Sequence, residues 1–279
     1  MTEMHAYDDR STHAVYSVLI ELGQVLGAYT ERFVVVGGSV PWLLLPRALP
    51  RHIGTIDVDL SLDHEALGDG EYVNLVGLLE RAGYERGLNL MRPFQMVRSV
   101  DIDQGPPINV IIDFLMPRKA KLVKNDPPLL AGFAVQRADG LDVANAHFVK
   151  REFSGYMPDG RHNTVQLRIA SIPALLVMKG YALVGRDKPK DAYDIYYVIR
   201  HYEDGLDSLA DACRPLLTDA VARNAYANIA AKFSGVDAFG PQTVRKFLVE
   251  SGATDGMSPA QIAQDAFGQV SNWLNRLGQ

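Results

Sequence analysis

Near Ser171 this chain passes from interleaved strand and helix periods to helical periods alone, and that change limits what it can fold into. Upstream, Val15, Val18, Leu19, Leu22, Val25 and Leu26 predict an amphipathic helix over 11–29. Apolar or alternating runs predict strands over 33–36, 56–62, 93–100 and 108–115, with a short helix over 40–45 and another over 71–82, stopped by Gly83. Residues 117–168 carry turn pairs (Pro127-Pro128, Asp139-Gly140, Asp159-Gly160) around β-like runs at 147–153 and 164–169. Downstream the pattern is helical throughout, at 172–185, 191–202, 205–217, 220–233, 241–250 and 259–277. The fold class expected is therefore α+β, a mixed sheet with helices followed by a C-terminal helical bundle. The division expected is a core domain at 1–118, a β extension at 119–170 and a helical domain at 171–279.

Composition excludes several classes. Against 28 Lys and Arg stand 33 Asp and Glu, a net charge of −5, which argues against a sequence-blind coat on nucleic acid. Local basic stretches do occur: Arg118, Lys119, Lys121 and Lys124, and again Arg186, Lys188 and Lys190. The single Cys213 supports neither an internal disulfide nor a thiolate zinc cage. No apolar run approaches the length of a membrane span, and the first ten residues lack the apolar core of a signal peptide, so the chain reads as cytoplasmic with no membrane partner.

The chemistry concentrates on carboxylates. In Thr55-Ile56-Asp57-Val58-Asp59-Leu60 the strand period of two puts Asp57 and Asp59 on one face. Two adjacent anions repel, and a cation such as Mg²⁺, which takes oxygen ligands, relieves that; a solvent-facing strand end is the plainer reading. The preceding strand ends in Gly37-Gly38-Ser39, where glycine permits close approach of a phosphate and Ser39 could either donate to it or cap the next helix. Asp113 interrupts the apolar run 108–115 and is a candidate third ligand, with Asp101 or Asp103 as alternatives.

Strand–Gly-Gly-Ser–helix, Thr-x-Asp-x-Asp and a strand-borne Asp together resemble the polymerase-β-type nucleotidyltransferase fold. In the helical half, Lys179-Gly180-Tyr181-Ala182 and Arg186-Asp187-Lys188-Pro189-Lys190-Asp191-Ala192-Tyr193-Asp194-Ile195 are similar to motifs of AbiEii/AbiGii-type nucleotidyltransferases, which include toxins of type IV-like toxin–antitoxin and phage-abortive systems. The resemblance spans about 33–200. It implies metal-dependent transfer of a nucleoside monophosphate from an NTP to an acceptor hydroxyl, with Mg²⁺ or Mn²⁺ on Asp57, Asp59 and Asp113. It also implies an acceptor that in some members is RNA such as tRNA ends, and a cognate antitoxin.

Gly37, Gly38 and Ser39 would then hold phosphates. Lys179, Ala182 and Arg186 share one helical face, from which both cations could reach a triphosphate. Asp191 would partner Lys179 or contact nucleotide, unless it and Asp194 merely favour a helix start. His52 reads as a loop residue, and Tyr193 and Tyr197 as packing. Two rivals stay open: a small-molecule acceptor, as in antibiotic nucleotidyltransferases, and a non-catalytic nucleotide- or RNA-binding protein on the same fold.

Overall fold

The computed structural model describes residues 9–63, 71–86, 91–102, 105–120 and 135–278. Lys121, Lys124 and Asp103 lie outside them. The chain divides into two units: Gly54–Ala170 with the residues up to Ser39, and Ser171 onward with Val40–Ile53.

The first unit is a mixed sheet. Its strands are β1 (Phe33–Val36), β2 (Asp57–Leu62), β3 (Gln95–Val100), β4 (Ile108–Pro117), β5 (Gln136–Ala138), β6 (Phe148–Tyr156) and β7 (His162–Ala170). Their spatial order is β3-β4-β2-β1-β7-β6, with β5 also paired to β4. β2 runs antiparallel to β1 and parallel to β4, and β7 runs parallel to β1. Helix α1 (Asp9–Val25) contacts β2, β4, β6 and β7. It covers the face carrying Val58, Leu60, Ile112 and Phe114, each fully buried. The predicted helix over 11–29 ends early, and Gly27–Arg32 is a 3₁₀ turn. Helix α3 (Glu71–Arg81) follows β2 in sequence, and α4 (Leu141–Ala146) contacts β1, β2 and β4.

A separate β extension at 119–170 is not what forms. β5, β6 and β7 are strands of the same sheet, because Val165, Leu167 and Ile169 bury one face of β7 and Val35 pairs with Ile169.

The second unit is helical: α2 (Val40–Leu44), α5 (Ile172–Gly185), α6 (Pro189–Arg200), α7 (Gly205–Cys213), α8 (Ala220–Lys232), α9 (Phe239–Glu250) and α10 (Pro259–Leu277). Each predicted helix of the C-terminal half is present within a few residues, except that 205–217 closes in a 3₁₀ turn from Arg214. Helix α5 is apolar on every side, the mark of a helix enclosed by others. It crosses α8 so closely that a Cβ on Gly180 would sit 2.4 Å from the Ala225 carbonyl oxygen. Ser258 and Gln261 form a reciprocal cap at the start of α10. Among the described residues no helix is long and apolar enough to cross a membrane.

Candidate functional site

In the sheet unit the register brings the acids together. Asp59 on β2 is paired with Asp113 on the parallel neighbour β4, and Asp57 stands two residues along the same face. Paired residues on neighbouring strands project to one face with backbones about 4.8 Å apart, an arrangement that like charges disfavour. All three acids are half-buried, while the alternate residues Val58, Leu60, Ile112 and Phe114 go to the core. Asp101, by contrast, is exposed past the end of β3.

Neutral donors meet two of these carboxylates. The Thr55 hydroxyl donates to Asp57 Oδ1, and Gln95 Nε2 donates to Asp113 Oδ1 at 2.8 Å. Among the described residues no three His, Cys, Asp or Glu side chains are gathered as a metal-holding group. The donor set still suits a hard divalent cation, since every candidate ligand is a carboxylate oxygen.

Gly37 explains the Gly-Gly-Ser signal. Its φ is +74°, in the left-handed region, and a Cβ built there would lie 1.8 Å from Asp59 Oδ2. The missing side chain is therefore the space the Asp59 carboxylate occupies. Ser39 does not face outward: fully buried, its hydroxyl donates to the Val36 carbonyl at 3.3 Å. Gly38 is buried as well.

Gly37→Ala should lower stability by about 1–2 kcal/mol for the left-handed backbone alone, with a further loss as Asp59 is displaced. In a double-mutant cycle by urea unfolding, Gly37→Ala with Asp59→Ala should cost less than the two single changes summed. Additive costs would show that the glycine does not serve Asp59.

In the helical unit a second set of charges is buried. Lys179 on α5 is 6% exposed, and its ammonium lies 2.6 Å from Asp191 Oδ1 and 2.7 Å from Asp194 Oδ2. Asp194 also receives Lys190 at 2.9 Å and His52 Nε2 at 2.9 Å. Asp191 is gripped from outside by Arg186, whose Nε and one terminal nitrogen donate at 2.7 and 2.9 Å. Of these cations only Arg186 is substantially exposed, with half its side chain in solvent. The expectation that Asp191 partners Lys179 is met. Asp191 is not the helix cap, because Lys188 holds that position. The Lys179 ammonium, expected to reach a triphosphate, is turned onto two carboxylates.

The protonation states follow from this packing. Burial alone would drive Lys179 neutral, but Asp191 and Asp194 override it and hold its pKa above the ordinary value. Burial would likewise raise the two acids, yet Lys179 with Arg186 lowers Asp191, and Lys179 with Lys190 sends Asp194 well below the usual range. His52 goes the other way: burial first, then Lys190, lowers it from 6.5 to about 4. It is neutral at pH 7, so its Nε2–H is the donor to Asp194.

A histidine with a depressed folded pKa contributes stability that is present above its unfolded pKa and lost as pH falls. Wild-type stability should therefore drop by about 3 kcal/mol from this group between pH 6.5 and pH 4. In His52→Gln that part of the acid limb should flatten in urea unfolding measured across the same range. An unaltered slope would contradict a neutral His52.

Tyr193, Tyr196 and Tyr197 are buried, as packing requires, and His52 stacks on Tyr193 at 5.1 Å and meets Tyr197 edge-on at 4.8 Å. On the basic stretch after β4, Arg118 is matched by Asp139 at 2.7 Å, and Lys119 is exposed.

Residues 140–250 match the family model described as Nucleotidyl transferase AbiEii toxin, Type IV TA system. The likeness seen in Lys179 through Asp194 is thus borne out; Asp57, Asp59 and Asp113 lie outside the matched span. Solved structures similar in backbone include JHP933 from Helicobacter pylori, at 13% identity over 97% of this chain and 94% of that one, TM-score 0.45. An antigenic nucleotidyltransferase-like protein from Paracoccidioides brasiliensis is similar at 16% identity, covering 88% of this chain and 93% of that one, TM-score 0.45. A search among curated proteins returns no match.

Proposed function

We propose that this protein is a metal-dependent nucleotidyltransferase that moves a nucleoside monophosphate from an NTP to a hydroxyl of RNA such as a tRNA end, releasing pyrophosphate. On this reading it acts in the cytoplasm as a toxin held in check by a cognate antitoxin. The observation that carries the chemistry is the pairing of Asp59 with Asp113 across neighbouring strands, with Asp57 on the same face. The match over 140–250 supports the transferase class.

Held by Asp57, Asp59 and Asp113, Mg²⁺ or Mn²⁺ would supply Lewis-acid polarisation at the α-phosphate and offset charge on the departing pyrophosphate. The rest falls to the chain itself. Gly37 leaves room for the Asp59 carboxylate, Thr55 orients Asp57, and Gln95 orients Asp113. Gly37 and Gly38 offer backbone without side chains to a phosphate, and the buried Ser39 stiffens their turn. Within the buried charge cluster of the helical unit, Arg186 is the cation exposed enough to meet a phosphate, and Asp191, fixed by Lys179, sets its orientation.

The test is incubation of the protein with each labelled NTP, Mg²⁺ and total cellular RNA. Label should enter RNA from one preferred NTP and stay out on chelation. Label entering only small molecules would establish the antibiotic-type rival. Binding of NTP or RNA with no label transferred to any acceptor would establish the non-catalytic one.

A further inference from the structure

Residues 46–51 make an exposed bow in the helical unit, between the end of α2 and His52. Both ends are tied down. At the near end Leu45 is buried and its amide donates to the Pro41 carbonyl at 2.9 Å, while the Ala48 amide donates to Leu45 at 3.2 Å. At the far end the Tyr197 hydroxyl donates to the Pro50 carbonyl at 3.0 Å, and the Ile53 amide donates to the Tyr193 hydroxyl at 3.2 Å. Between those two anchors His52 is fixed by Asp194. A bow so pinned loses little conformational freedom when something binds it.

What the bow presents is two arginines around one apolar side chain. Arg47 and Arg51 are exposed, and Leu49 is 80% exposed. Among the described residues neither guanidinium has an acid within ion-pairing distance, whereas Arg98, Arg118, Arg161, Arg168 and Arg276 each have one. No Asp or Glu occurs anywhere between Glu31 and Asp57. In a chain of net charge −5 this is a local positive surface held open.

Two guanidinium forks suit phosphates, which they bind bidentately, and an exposed leucine between them suits the face of a base. A protein partner fits less well. A stable protein interface needs about 800 Å² a side around an apolar centre, and Leu49 is flanked by exposed Pro46, Arg47, Pro50 and Arg51. We infer that residues 47–51 dock the phosphate backbone of the RNA acceptor, an assignment that rests on the acceptor being RNA.

The test is RNA affinity measured by fluorescence anisotropy with labelled total tRNA from 50 to 200 mM KCl. The double variant Arg47→Ala/Arg51→Ala should lose about tenfold in affinity and flatten the log–log salt slope by about 1.5, two contacts at roughly 0.7–0.9 each. Its melting temperature should be unchanged, and Arg47→Lys/Arg51→Lys should restore most of the slope. A wild-type salt slope in the alanine variant would overturn the inference. So would an unchanged RNA slope together with lost binding to poly-glutamate, which would make the bow a protein-docking element. Should the wild type bind RNA through this bow yet transfer no label from any NTP, the enzymatic reading fails and the docking assignment stands. Labelling of RNA by the alanine variant at the wild-type KM for RNA would do the reverse.

Discussion

Lys179→Met should destabilise the protein by about 3–5 kcal/mol, although no atom of Lys179 needs to touch a substrate for that loss. Methionine keeps the length and the apolar stem, so packing against α5's neighbours survives and the change isolates the charge. What remains is Asp191 with Arg186 alone, and Asp194 with Lys190 and His52. Because each acid keeps a partner, the loss belongs at the lower end of that range. Urea unfolding at pH 7 measures it. The gap should narrow in acid. Both carboxylates have folded pKa values below the unfolded value of about 3.9, so their contribution is present above that pH and disappears as pH falls through the folded values. Lys179→Met with Asp191→Leu should recover part of the loss, since Arg186 is half-exposed and can turn to water. A loss under 1 kcal/mol in the single variant would mean that the cluster contributes little.

The sequence made the elements legible because the period of two and the period of 3.6 are both strong in this chain. Val15 through Leu26 marked α1, which ends at Val25 and continues as a 3₁₀ turn from Gly27. The acids were legible for the same reason: alternation in Asp57-Val58-Asp59 and in Ile112-Asp113-Phe114 gives each a face, and the structure puts those faces in register. Partner choice between distant strands was not legible. Nothing local in Val165-Gln166-Leu167 says that β7 lies beside β1, so 119–170 looked like an appendage.

Burial of the charged cluster was half legible. A helix as apolar all round as α5 has no wet side for Lys179 to face, and that signal pointed inward. The role of His52 had no signal, since its partner Asp194 is 142 residues away.

Asp59→Asn should abolish nucleotidyl transfer while leaving the fold intact. On the proposed reading the carboxylate contributes charge to a divalent cation, and losing about 4 kcal/mol of transition-state stabilisation lowers the rate about a thousandfold. Asparagine keeps the shape that fills the space above Gly37, so the turn at 37–39 has no reason to move. Stability should hold or rise slightly, because the pairing with Asp113 no longer sets two anions on adjacent strands. Asp57→Asn should lose less if Thr55, already bonded to that side chain, can hold the amide in place. The measurement is label transfer from the preferred NTP to RNA, run beside a thermal melt and an NTP-binding titration with Mg²⁺ present and absent. Turnover near wild type in Asp59→Asn would remove the metal from the reading, whatever the other acids do. A melt lowered by several degrees would instead mark Asp59 as a support for the Gly37 turn. In that case Asp113→Asn, whose partner Gln95 lies on the far side of β4 from Asp59, would decide the metal question alone.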